Sequence, residues 1–448
     1  MLSAFVNSFK IPELRNRLLF TLGLLFICRI ITTVPTPGVD ASQLQAAIEA
    51  RQSSSEGGFI RWFDLFSGGA LSNCAVGALS IWPYISASII LQLMTAIIPA
   101  LERLAREGDT GRQKLTQYTR YLTLAICVVQ GLFLAISLEN PGALGLDRQI
   151  VTAPGWGFRL LTLVTLTTGT MLMMWLGEQI TERGIGNGVS IVITINIISR
   201  LPDAVIQGIG MFAKVDGVAR YTIFHLIGLL AMIILVTAGT IMLTQGLRKI
   251  PIHTAKRVVG RKVYGGQNTY MPLRVNYSGV MPIIFAGAML AFPAVLLGKV
   301  NMDWARQLSA ALQIGEPLYL VLYGGMILFF SYFWVATQFN PLQIADDLKR
   351  NSGYVPGIRP GRPTAEFLDR TMTRVTFFGA LFLTVIAVIP EVLSGQFKVP
   401  WLVSSFMGGT SLLIIVGVML DTMRQIESHL LMRHYDGFLK KGRLRGRR

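Results

Sequence analysis

Residues Phe63 to Ala100 read FDLFSGGALSNCAVGALSIWPYISASIILQLMTAIIPA, and this stretch decides what kind of molecule the chain makes. Its second part, Ile81 to Pro99, is long and apolar enough to cross a bilayer as one helix. Its first part, about Leu65 to Cys74, is not. About ten residues of helix rise only ~15 Å, half a hydrocarbon core. The short part is small and weakly polar, with Gly68, Gly69, Ala70, Ser72 and Asn73. Backbone that does not span survives at membrane depth only inside protein or beside a water-filled cavity. The stretch therefore predicts a short re-entrant helix followed by a full crossing.

Along the crossing, Ile81, Ile85, Ser88, Gln92 and Thr95 recur at helical spacing and share one face. The face starts β-branched and turns mildly polar. Two readings stay open: helix packing, with Ser, Thr and Gln as interhelical glue, or the wall of a pore beside the short helix.

Outward from this stretch, the composition is that of a polytopic membrane protein: 448 residues, 52% hydrophobic and 15% charged. The apolar runs predict ten crossings: 18–34, 81–99, 121–137, 158–176, 185–198, 221–244, 279–297, 318–339, 375–389 and 405–420. Residues 1–17 read as a basic segment on the membrane surface and 35–62 as a Pro/Gly/Ser/Gln-rich loop. The natural division is five plus five, with residues 1–201 as the first half and 202–220 as an outer hinge. Residues 221–424 form the second half, and 425–448 a basic tail. Two insertions interrupt the second half, 245–278 and 340–374. In the first, RVVGRKVYGG from Arg257 predicts a hairpin. In the second, GYVPGIRPG from Gly353 predicts a stiff, irregular tip.

Charge orients the chain. Of 41 Lys and Arg, thirty lie in the segments that share a side with both termini and ten in the opposite ones. Arg29, inside the first crossing, completes the set and must face the bundle interior or snorkel outward. A threefold excess over short loops places both termini in the cytosol. It also accounts for the net charge of +17 without nucleic acid.

Catalytic and metal motifs are missing from the pattern. Cys28, Cys74 and Cys127 form no CxxC pair, and the four histidines form no HExxH. Gly184, Gly186 and Gly188 follow no strand and precede no Gly-Lys-Ser/Thr, so they mark a tight interhelical turn and no nucleotide loop. An aspartyl intramembrane protease needs two in-membrane aspartates, and Asp421 has no such partner. No enzymatic activity, metal or cofactor is expected. An ion-coupled transporter with ten helices is the alternative function class. It needs carboxylates or histidines near the midplane, and few are there.

Phe66-Ser67-Gly68-Gly69-Ala70-Leu71-Ser72 and Pro83-Tyr84-Ile85-Ser86-Ala87-Ser88-Ile89-Ile90 resemble the plug and second helix of the SecY family. SecY is the channel subunit of the Sec protein translocase. GDTGRQKLTQYTRYLTL from Gly108 and WLGEQITERGIGNG from Trp175 resemble that family too. The resemblance implies an all-α fold of two five-helix halves in inverted repeat around a central pore. It implies a protein-conducting channel that binds signal sequences, passes unfolded secretory chains and releases hydrophobic segments sideways. Ile81, Ile85, Ile193, Ile284 and Ile414 match the family's pore ring, and a sixth position aligns with Met289. Ser88 and Gln92 fall on its lateral gate, and Lys256, Arg257 and Arg359 on its motor or ribosome contacts. Implied partners are SecE-like and SecG-like small membrane subunits, a SecA motor, the ribosome, signal peptides with nascent secretory chains, and anionic lipids. The implied location is the bacterial inner membrane, or alternatively the thylakoid membrane.

Overall fold

The computed structural model describes residues 11–40, 43–44, 58–140, 150–212, 223–254, 257–259, 262–264, 268–298, 302–312, 315–395, 397 and 399–441. The chain divides into two bodies. One holds residues 1–203 and 417–448, the other 204–416.

In the first body the helices are α1 (Pro12–Thr33), α2 (Gly58–Ser67), α3 (Trp82–Ile97), α4 (Pro99–Arg106), α5 (Asp109–Glu139), α6 (Trp156–Arg183) and α7 (Gly188–Ile198). α8 (Leu201–Gly210) follows across the division. α1 begins at Pro12, so residues 12–17 are continuous with the helix of the expected first crossing, and residues 1–10 lie outside the described residues. Proline at the first helical position gives up an N–H that has no partner there. The same chemistry puts helix at the start of the hinge expected at 202–220. Pro202 sits in the first turn of α8, where it starts a helix, and 188–210 is one span. Residues 213–220 lie outside the described residues. Pro99 also opens a helix, α4, but across a bend. It holds Ile98 extended (φ −96°, ψ 112°), ends α3 and turns the chain by 105° into α4.

α5 and α6 pack side by side, with Cys127, Leu166, Met173 and Thr123 fully buried. Their ion pairs sit only at the two ends. Arg120 donates twice to Glu178, at 2.7 and 3.1 Å. Arg159 reaches Glu139 at 2.6 Å while lying over the Trp156 ring. On each helix the two charged residues are nineteen positions apart, a rise of about 28 Å. That is the thickness of the hydrocarbon core, so the pairs bracket a dry span. At the turn between α6 and α7, Ile185 N donates to Thr21 Oγ1 and Gly186 N to Gln425 Oε1. Leu14, Ile185 and Ile426 form an apolar cluster there, which docks the tail helix on this body.

The second body continues with α9 (Ile223–Gln245), β1 (Leu247–Thr254), β2 (Arg257–Val259), β3 (Lys262–Tyr264), β4 (Asn268–Arg274), α10 (Met281–Gly298), α11 (Asp303–Ala311) and α12 (Pro317–Gln338). It ends with α13 (Pro341–Arg350), β5 (Gly353–Tyr354), α14 (Arg362–Gly395), α15 (Trp401–Phe406) and α16 (Gly409–Lys441), whose inner part belongs to the first body. Its core joins Val236, Ile283, Tyr323, Ile327, Leu383 and Leu413. The expected hairpin is β2–β3, with Val258 opposite Val263. The two insertions are one structure. β5, from the second, pairs with β1, from the first, through His253–Tyr354 and Thr254–Gly353. Ile250, Leu273, Phe339, Val355 and Leu368 fill the space beneath. α14 and α16 run well past the membrane, taking up ends that hydropathy alone assigns to loop and tail.

Among the described residues, seven helices are long and apolar enough to cross a membrane, or eight with the bent α3–α4 pair. Nine of the ten crossings expected from the sequence each fall mainly on one helix, and the tenth, 405–420, is divided between α15 and α16.

Candidate functional site

The half-length segment is seated among the crossings of the first body. α2 covers Gly58–Ser67, so its helical part lies earlier than the expected Leu65–Cys74, and the loop expected to reach residue 62 ends before it. Two glycines stop the helix. Gly68 (φ +67°) and Gly69 (φ +86°) take left-handed conformations that L side chains avoid. Gly69 N then closes back on Asp64 O at 3.0 Å. Residues 68–81 descend as a series of turns.

Both ends of this return are tied down. Thr36 N bonds Cys74 O, and Val76 N bonds Val34 O, each at 2.8 Å, and Gly77 N bonds Ile31 O. These bonds pin the lower leg to the C-terminal end of α1. α6 comes close at Gly169, where a Cβ would stand 2.1 Å from Val76 O, so only glycine fits. Higher up, the partners are polar side chains. Asn196 Nδ2 donates to Phe66 O at 3.3 Å and Ser80 Oγ at 3.2 Å. Arg29 Nη1 points to Gly68 O at 3.4 Å, so the intramembrane arginine does face the bundle interior. Arg200 Nη2 pairs with Asp64 Oδ2 and donates to Ser72 Oγ. Asp64 Oδ1 accepts from the Ser72 N–H and hydroxyl, both at 2.9 Å. Asp64 is 4% exposed, a carboxylate taken out of water that only this pairing makes tolerable.

Of the expected plug residues, Phe66, Ser67, Ala70 and Ser72 are buried with both glycines, and Leu71 is half-buried. Ile81, Ile85 and Ile193 belong to the first body, Ile284 and Ile414 to the second. Ile81, Ile85, Ile284 and Ile414 are buried and Ile193 half-buried. Ile81 Cδ1 lies beside Gly177 of α6. Met289 is 55% exposed. On α3, Ser88 is half-buried and Gln92 exposed, so the face opens toward the C-terminal end of the helix. Arg359 is exposed on the Pro/Gly tip, where Thr364 Oγ1 donates to its carbonyl at 2.8 Å. Arg257 lies on β2, and Lys256 lies outside the described residues.

The arrangement matches known proteins throughout. The model of the SecY family matches residues 75–423. A protein translocase subunit SecY of Escherichia coli K12 is 44% identical over 442 residues, covering 97% of this chain and 96% of that one. The Thermotoga maritima subunit is 42% identical over 453 residues, all of both chains. The chain belongs to the SecY family. Solved structures agree in fold with this SecY-family chain. A protein-conducting channel superposes with TM-score 0.58 at 17% identity, over 92% of this chain and 91% of its own. A SecY protein whose plug domain stabilises the closed state of its channel gives 0.56 at 18%, with the same shares covered. Sec61 in a canine ribosome–channel complex gives 0.53 at 15%, again over 92% and 91%.

Sequence reading of this SecY-family chain missed Asp64, Asn196 and Arg200. A usable signal was present: one acid and two arginines, Arg29 among them, lie in or beside apolar runs. Charges so placed pair with one another.

Proposed function

We propose that this chain is the pore subunit of a protein-conducting channel, passing unfolded polypeptides across a bacterial inner membrane. The observation that carries the reading is a half-length helix held at membrane depth by polar contacts within a bundle of full crossings. A closure of that kind can move without unfolding the crossings. Residues 65–74 are its plug. Ile81, Ile85, Ile193, Ile284 and Ile414 form the constriction: apolar side chains grip nothing specific, exclude water when closed and accommodate side chains of different size. Ser88 and Gln92 border the gate through which hydrophobic segments leave. A thylakoid location fits the same fold.

The chain is read as a conduit and not an enzyme, so the driving force comes from partners. SecE-like and SecG-like subunits brace it, signal peptides open it, and anionic lipids meet its basic inner side. Lys256, Arg257 and Arg359 contact a SecA motor or a ribosome. The joined insertions support this, because pairing of β5 with β1 fixes the base from which Arg359 projects.

Uptake of an unfolded secretory precursor into vesicles carrying the channel tests the proposal. The precursor is expected to become protease-protected, and saturable small-solute uptake without protein entry would overturn the reading. Arg359→Glu is expected to lower precursor uptake several-fold at unchanged membrane abundance. Reversing one exposed charge disturbs docking and leaves the membrane core intact.

A further inference from the structure

We propose that Asp64, Ser72 and Arg200 form a releasable polar latch on the plug, with Arg200 as the positioning residue. This rests on the plug reading above. Three observations converge on it.

Arg200 lies in the turn between α7 and α8 and Asp64 on α2, 136 positions apart, yet the two side chains meet. Asp64 also ties down the far side of the glycine turn through Ser72. One guanidinium therefore holds both limbs of the turn to the crossing.

The glycine pair is shaped for these arginines. A Cβ at Gly68 would stand 2.7 Å from Arg29 Nη1, and one at Gly69 2.7 Å from Arg200 Cζ. The guanidinium groups occupy the space where side chains would be. The turn itself calls for both glycines, since each has positive φ, and the guanidinium groups fill the space that their missing side chains leave.

The pair is also built to part. Arg200 Nη1 already bonds Asp203, whose side chain is 50% exposed, and the Arg200 side chain is itself 22% exposed. When Asp64 leaves, Arg200 keeps a carboxylate and gains water. Asp64 is then free to hydrate, but only on a water-filled path, since lipid rejects a carboxylate. Exchanging a charged hydrogen bond for water costs about 1.5–3 kcal/mol, a factor of roughly ten to a hundred, enough to hold the plug at rest and little enough to release it, whereas a large buried apolar surface would resist the same movement more strongly. The latch thus sets both how firmly the plug rests and which way it moves.

Resting ion conductance of the full-length chain, purified with its bound subunits, reads the latch. Asp64→Asn and Arg200→Gln are each expected to raise it roughly ten- to a hundredfold, the worth of one charged hydrogen bond. Arg200→Lys, which keeps the charge, should raise it far less. The double variant Asp64→Asn/Arg200→Gln should leak no more than either single one, because both remove the same interaction. Ser72→Ala should give a smaller rise and reports in place of any charge variant that fails to accumulate. Deletion of Phe66–Ser72 is the reference arm. If the deletion leaks while the latch variants stay sealed, the latch is overturned and the plug reading stands. If the deletion stays sealed, the plug reading falls and the latch with it. Multiplicative leaks in the double variant, or equal leaks from Arg200→Lys and Arg200→Gln, overturn the latch as well.

Discussion

Deleting Phe66–Ser72 is expected to raise resting ion conductance roughly tenfold or more while the channel still assembles. A closed state favoured by only one to two kcal/mol loses that factor or more when its stopper goes. The deletion removes the glycine turn and the groups that Arg29, Asn196 and Arg200 hold. It spares the lower leg, where Thr36, Cys74, Val34 and Val76 bond through backbone. Assembly should survive for that reason. Conductance across a planar bilayer, scored beside membrane abundance, checks both halves of the statement. Unchanged conductance at normal abundance would count against the plug.

Ile414→Asn is expected to let precursors with defective signal sequences through, with Ile414→Leu close to the parent. Ile414 is 5% exposed. Replacing a buried isoleucine by a polar amide weakens its apolar contacts by about 2 kcal/mol, a shift toward the open channel of roughly thirtyfold. If Ile414 belongs to the proposed constriction, asparagine also gives water a partner there. Leucine changes volume and polarity little. If Ile414 served only the packing of its own body, asparagine would lower membrane abundance and relax nothing. Export of a signal-defective reporter, normalised to abundance, separates the two.

What the sequence could show follows from how membranes select residues. Lipid tolerates only long apolar runs or buried backbone, so all ten crossings and the half-length segment stand out. Hydropathy does not show where a helix ends in water. α14 extends back to Arg362 and α16 forward to Lys441 because helix geometry continues after the apolar run stops. Pro202 and Pro99 look alike in sequence. Each lies in the first turn of a helix, yet the chain bends by 105° at Pro99 and 188–210 stays one span at Pro202. Gly68 and Gly69 suggest a small, tolerant segment, and only the fold shows the arginines over them. Arg200 is hidden for a plainer reason: its partner is 136 positions away, and no local pattern records that distance.

The most direct test of the central claim places a photo-cross-linker in a secretory chain stalled during passage and asks which residues it touches. Adducts are expected at Ile81, Ile85, Ile193, Ile284 and Ile414, drawn from both bodies. Control positions at exposed outward residues such as Phe133 and Val321 should give none. Adducts confined to the controls, or none at the five isoleucines while the chain is protected in transit, would contradict a polypeptide path through this constriction.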